Sequence, residues 1–227
     1  MSKILSVLML FAVSLYSDNL KYIVDAGLFG NLANINLTYN SSKTKYSAIM
    51  EIRPKGLVKL RASRILDRRT SRGFIKNGQY YSTLYEVVKT YKGNKKVRRI
   101  YSFDYKNKRV TKHYTVWQNG KKITDTKTKL PYFSSNDLLN MYHNIVYYAK
   151  NAKRGTYKIS AVGAENDGGK IKFSILSKNS IKMYINNSNF SKGKGVLIFD
   201  VAASGISDLG KVMRIKMLGS AKLKRIK

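Results

Sequence analysis

From Arg72 to Lys122 the chain reads RGFIKNGQYYSTLYEVVKTYKGNKKVRRIYSFDYKNKRVTKHYTVWQNGKK, and this stretch decides the fold class. Asn77-Gly78, Gly93-Asn94, Lys106-Asn107 and Asn119-Gly120 interrupt it at short, nearly even intervals. The segments between, Tyr80–Tyr91, Val97–Tyr105 and Arg109–Gln118, are rich in Tyr, Val, Ile, Thr and Phe. Asn-Gly supplies the positive φ angles that tight hairpins need, and β-branched and aromatic residues suit a pleated, half-buried surface. The stretch therefore reads as an antiparallel meander from which the rest of a sheet grows. Tyr101, Phe103 and Tyr105 share one face, and Val110, Tyr114 and Val116 oppose a side that carries His113 and Trp117. An aromatic face of this kind is either core or groove wall; core is favoured because aromatics contribute large buried areas.

Working outward toward the start, Ala33, Ile35, Leu37 and Tyr39 alternate with Asn34, Asn36 and Thr38, the period of a strand with one wet face. Tyr46–Ile52 repeats the pattern until Pro54, which cannot donate to a ladder and marks a strand end or an edge. Val58–Thr70 is very basic and suits either a short helix or a strand. Met1–Ser17 has one cation, Lys3, followed by an apolar run too brief to span a bilayer comfortably, so it reads as a cleaved signal peptide, cut after Ser17 or Ser14. Residues 18–227 then form a single exported domain, placed in the periplasm.

Toward the end, Leu138, Leu139, Met141, Tyr142, Ile145, Val146 and Ala149 make a broad apolar stripe, with Asp137 early and Lys150 late. The expected element is a helix over Ser135–Lys150, capped by Ser134 or Ser135, that buries its stripe against the sheet. Tyr157–Val162, Lys170–Leu176, Ile181–Ile185, Val196–Ala202, Val212–Leu218 and Ala221–Ile226 return to strand patterns, with loops at Glu165–Gly169, Asn186–Gly195 and Ala203–Gly210. Val196–Ala202 is apolar on both faces and so is expected to be central. The expected fold is mainly β: a curved antiparallel meander or partly closed β-barrel packed against one α-helix.

This order of pieces resembles an exported bacterial family known as domain of unknown function 3108. The residues that carry the resemblance are the early Tyr-containing strand with Gly27-Leu28-Phe29-Gly30, the step Arg53-Pro54-Lys55-Gly56-Leu57, and Ser71-Arg72-Gly73 with Asn77-Gly78. Phe103-Asp104-Tyr105 and the helix start Asn136-Asp137-Leu138-Leu139 complete it. The resemblance implies a periplasmic, β-rich, non-enzymatic fold without an assigned activity. The chain departs from it in lacking a proline soon after Asn77-Gly78 and in its basicity.

Charge bounds the function. The 227 residues hold 44 Lys+Arg against 12 Asp+Glu, a formal net charge of +32, and no cysteine. An AT-rich genome would favour lysine codons, but also glutamate, and Glu occurs only at Glu51, Glu86 and Glu165. Such a field attracts anions at the cost of self-repulsion. Without cysteine there is no thiol nucleophile, cysteine-type zinc site or disulfide framework. Only His113 and His143 could shuttle protons near neutrality; His113 has Asp104 across the preceding turn, and no serine in a strained elbow accompanies them. No cofactor or metal is implied. The basic clusters are the better candidates, and Arg68, Arg69, Arg72, Lys95, Lys96, Arg98 and Arg99 are the expected anion contacts. An export signal argues against nucleic acid as the partner. The expectation is a non-enzymatic envelope protein that binds or contacts phosphorylated lipids, lipopolysaccharide or acidic polymers. The alternative is a lipid or lipoprotein carrier with an apolar groove between sheet and helix.

Overall fold

Asn77 and Gly78 adopt φ of 53° and 73° and turn β4 (Arg64–Lys76) into β5 (Gln79–Tyr91). Gly93 and Asn94 lead into β6 (Lys95–Asp104), and Asn119 and Gly120 join β7 (Arg109–Gln118) to β8 (Lys121–Lys129), all four at positive φ. Between β6 and β7 the positive φ falls on Lys108, one residue past Asn107. The meander thus forms where the turn residues place it. These elements come from a computed structural model of the chain, which describes residues 18–61, 63–151, 153–164, 169–177, 179–186, 191–201, 207–215 and 218–226. The expected signal segment and its cleavage site lie outside the described residues, as do parts of the three late loops.

Three strands precede the meander: β1 (Asp18–Asp25), β2 (Asn31–Ser41) and β3 (Lys45–Pro54). Ala33, Ile35, Leu37 and Tyr39 are buried in alternation, as their period requires, and Pro54 is the last residue of its strand. Val58–Thr70 contains both expected elements, a six-residue helix α1 (Gly56–Arg61) and the start of β4.

Following β8 come α2 (Asn140–Asn151), β9 (Gly155–Ser160), β10 (Lys170–Ser177), β11 (Ser180–Asn186), β12 (Lys194–Asp200), β13 (Leu209–Ile215) and β14 (Gly219–Ile226). The fourteen strands make one antiparallel sheet in the order β8-β7-β6-β5-β4-β3-β2-β1-β14-β13-β12-β11-β10-β9. Each half is a meander, and the halves join where β1 pairs with β14, Val24 opposite Leu223. Among the described residues β8 and β9 are the two edges, so the barrel-like sheet is not closed by hydrogen bonds. β12 lies between β11 and β13 with Val196 and Leu197 both buried, the central position its sequence indicates.

The sheet curves around α2. The helix meets β2 through His143 and Tyr39, β5 through His143 and Tyr80, and β12 through Tyr142 and Phe199, the last with ring centroids 5.0 Å apart. Three strands so far apart in one sheet can touch one helix only if the sheet wraps it. Asn140, Met141, Tyr142, His143, Asn144, Ile145, Val146 and Ala149 are all buried, so the helix is enclosed on nearly every side rather than laid on a surface by one stripe.

The helix start departs from expectation. Asp137 caps it: its Oδ1 accepts the amides of Leu139 at 2.7 Å and Asn140 at 3.0 Å, and its carbonyl takes the amide of Met141. A carboxylate two and three residues before orphan amides is the stronger acceptor there. Ser134 instead accepts the amide of Asn136 and donates to the Ser160 carbonyl, which fastens this segment to β9.

Candidate functional site

Alternation along the strands divides the basic doublets between the two faces of the sheet. In β4, Arg68 and Arg72 point outward and are exposed, while Arg69 points inward and is buried. In β6, Lys96 and Arg98 lie outside and Arg99 inside, with Lys95 exposed at the strand's start. Three of the outer members have ordinary surface partners. Arg68 stands 3.9 Å from Glu51, Arg98 donates to Glu86 at 2.5 Å, and Lys96 lies 5.6 Å from the centre of the Trp117 ring. The seven expected contacts therefore do not form one patch.

The inner members enter a different constellation. Asp67, fully buried on β4, is held by Arg64 Nη1 at 3.0 Å and Arg69 Nε at 3.2 Å. Arg69 also donates to the Tyr85 hydroxyl at 3.0 Å. Directly opposite Asp67 on β5 is Lys89, whose Nζ lies 4.0 Å from the same carboxylate. Pairing of Val87 with Arg99 and of Lys89 with Val97 makes Lys89 and Arg99 diagonal neighbours, about 7–8 Å apart along the backbone. The Arg99 guanidinium lies 5.5 Å over the Tyr114 ring, and that of Arg64 lies 5.7 Å over Tyr91. Burial pushes the Lys89 ammonium down to about 7; Asp67 works against this, and Arg64, Arg69 and Arg99 add to it. A buried cation is rare unless paired, and here one carboxylate serves several. Arg64, Asp67 and Lys89 were not among the expected contacts. A lysine in phase with Tyr85 and Val87 on β5 is the signal that reveals them, because a charge on the apolar phase of a strand must find a partner inside.

A second buried constellation anchors the helix. Asp137 Oδ2 accepts the hydroxyls of Ser71 and Ser82, each at 2.5 Å, and the Tyr46 hydroxyl lies 3.0 Å and 3.1 Å from those two oxygens. Burial raises the Asp137 carboxyl, while the hydroxyls and two amides lower it. Asn144 braces Tyr80 in both directions, accepting its amide and donating to its carbonyl, each at 2.8 Å. Together these groups fix α2 to β3, β4 and β5.

The two histidines are far from serving one centre. His143 is sandwiched between Tyr80 at 4.4 Å and Tyr39 at 4.5 Å, and burial pushes it down to about 3. His113 sits on the outer face and meets Asp125 of β8, not Asp104, because β7 and β8 pair Tyr114 with Thr126 and Thr115 with Asp125. Asp104 is engaged by Asn107 and Arg109 across its own turn. Among the described residues, no group of three His, Asp or Glu could hold a metal ion, and no helix is long and apolar enough to cross a membrane.

The profile of the family described as "Protein of unknown function (DUF3108)" matches residues 12–191, most of the chain. The chain belongs to the DUF3108 family. A similar solved structure is the crystal structure of a beta-barrel-like protein of domain of unknown function DUF1849 from Brucella abortus. It shares 10% identity, covers 95% of this chain and 98% of its own, and has a TM-score of 0.56, so the likeness is one of fold. No curated protein matches the chain. In this DUF3108 member several of the residues on which the sequence resemblance rests have structural roles. Asp137 caps and anchors α2, Ser71 holds Asp137, and Gly73 lies where a Cβ would meet the Tyr81 carbonyl at 1.9 Å.

Proposed function

We propose that the protein is an exported, non-enzymatic component of the bacterial cell envelope that contacts anionic envelope components through its cationic surface. The observation that carries this reading is the edge strand β8. Lys121, Lys122, Lys127 and Lys129 are exposed along it, and its one carboxylate, Asp125, is engaged by Lys122 at 2.7 Å and by His113. A row of lysines on a free edge attracts anionic surfaces over about a Debye length, roughly 8–10 Å at physiological salt. The same lysines discourage edge-to-edge pairing of two copies. The non-enzymatic reading is supported by the histidines: one is held neutral between two rings, the other lies on the opposite face of the sheet from the buried charges. A carrier that shelters a lipid tail between sheet and helix would require Met141, Tyr142, Ile145 and Val146 to give way, since they are buried in that space.

The test is co-sedimentation of the purified protein with vesicles of phosphatidylglycerol or of phosphatidylcholine at low salt. Stronger binding to the anionic vesicles, weakened by added salt and by changing all four β8 lysines to glutamine, is expected. Equal binding to both vesicle types overturns the reading.

A further inference from the structure

Among the described residues, the charges on the inner wall of β4–β6 do not cancel. Arg64 and Arg69 share the carboxylate of Asp67, and Lys89 is only at the limit of its reach. Arg99, half-buried on the next strand, has no carboxylate within ion-pair distance among the described residues; its neighbour is the face of Tyr114. The Arg64 Nε is buried with no hydrogen-bond partner. Among the described residues of β4–β6, even with Lys89 neutral, three guanidinium groups stand against one carboxylate on this wall. The other acid toward this wall among the described residues, Asp137, is already committed to Ser71, Ser82 and two amides. Glu51 and Glu86 are paired with Arg68 and Arg98 on the outer face. Unmatched buried charge is costly unless an opposite charge completes it.

We propose that Lys89 and Arg99 form the mouth of a binding site for one phosphate monoester dianion, with Arg64 and Arg69 supplying the field behind it. A monoester dianion offsets two of these positive charges, where a carboxylate or a phosphate diester offsets one. Its three terminal oxygens accept from the Arg99 fork on one side and the Lys89 ammonium on the other. Asp67 fixes Arg64 and Arg69 in place, so the field is present before the ligand arrives. A bound dianion also favours the protonated ammonium of Lys89, whose own pKa lies near neutrality, so that binding above pH 7 draws in a proton. The inference deepens the envelope reading by naming a chemical group, but the discrete site stands or falls separately from the lysine edge.

Isothermal titration calorimetry of the full protein with glycerol phosphate at pH 7.5, in two buffers of different ionisation enthalpy, is the test. One saturable site with net proton uptake is expected, weakened tenfold or more by Arg99→Gln and by Lys89→Met, with the proton uptake lost in Lys89→Met. Lys96→Gln and Lys127→Gln, on the outer face and the edge, leave it unchanged. Arg99 makes no bond to Asp67, so its variant tests the site without disturbing the ion pairs around that carboxylate. Absence of a saturable site, or wild-type affinity in Arg99→Gln, overturns the proposal. Vesicles of phosphatidic acid that compete with glycerol phosphate identify a lipid headgroup as the source; a lack of competition, with glycerol phosphate still binding, identifies a soluble monoester. Saturable binding without any preference for phosphatidylglycerol vesicles upholds the site and overturns only the surface reading, and the reverse result overturns only the site.

Discussion

Ser82 Oγ meets Asp137 Oδ2 at 2.5 Å, and this bond joins the first turn of α2 to the strand that follows the Asn77-Gly78 hairpin. With Ser71 and two amides on the same carboxyl, Asp137 is the point where helix and sheet are registered against each other. Asp137→Ala strands these donors in a buried setting and is expected to cost about 3 kcal/mol or more. Asp137→Asn keeps an acceptor oxygen and costs less. Urea melts of the two variants check the order; equal losses would mean that volume, and not hydrogen bonding, holds the helix.

His143 makes the fold sensitive to acid. Its folded pKa, about 3, lies below the unfolded value of 6.5, so the unfolded chain binds the proton first. The stability that depends on the neutral ring is complete above pH 6.5 and is lost as pH falls toward 3. His143→Phe keeps a ring between Tyr39 and Tyr80 and is expected to flatten stability across that window. Thermal melts between pH 7 and pH 4 measure it.

Lys89 acts at the other end of the scale. Its folded pKa of about 7 lies below its unfolded value of 10.5, so its charge opposes folding fully below pH 7, and stability rises as pH climbs through that interval. Lys89→Met removes a cation repelled by Arg64, Arg69 and Arg99, and is expected to stabilise the unliganded protein at pH 6 by about 1 kcal/mol or more. Denaturation at pH 6 and pH 9 is the check, with a smaller rise in the variant.

Gly73 has no room for a side chain. A Cβ there would stand 1.9 Å from the Tyr81 carbonyl and 2.8 Å from the Tyr46 ring, beside the irregularity that shifts the β4–β5 register between Arg72 and Gly73. Gly73→Ala must displace a neighbouring strand and is expected to lose at least about 2 kcal/mol. Gly93→Asn, at a positive φ with open space around it, serves as a tolerated control in the same melts.

The hairpins were legible because Asn-Gly pairs act locally: their φ angles set the turns whatever the sheet does later. The buried faces of β2 and β3 were legible for the same reason, since alternation is a property of the strand itself. The start of α2 was not, because three polar groups near it could cap and only packing against β4 and β5 selects Asp137. Asn140, His143 and Asn144 look like surface residues in the sequence; their partners, Tyr80 and Tyr39, lie on strands far away along the chain. The basic doublets were legible as charge but not as a site. One residue of phase sends Arg68 outward and Arg69 inward, and the partner that matters most, Asp67, is an ordinary-looking acid until β5 brings Lys89 opposite.

The β1–β14 seam also sets a timetable. Every other strand pair joins neighbours in sequence, so each can zip as soon as its hairpin has emerged. β1 has to wait for a partner nearly a whole chain later, and until then one of its rims stays open to any passing strand. Closing the seam is therefore the expected slow, final commitment in folding, and a chain stalled short of β14 would carry a ready template for mispairing at its own beginning.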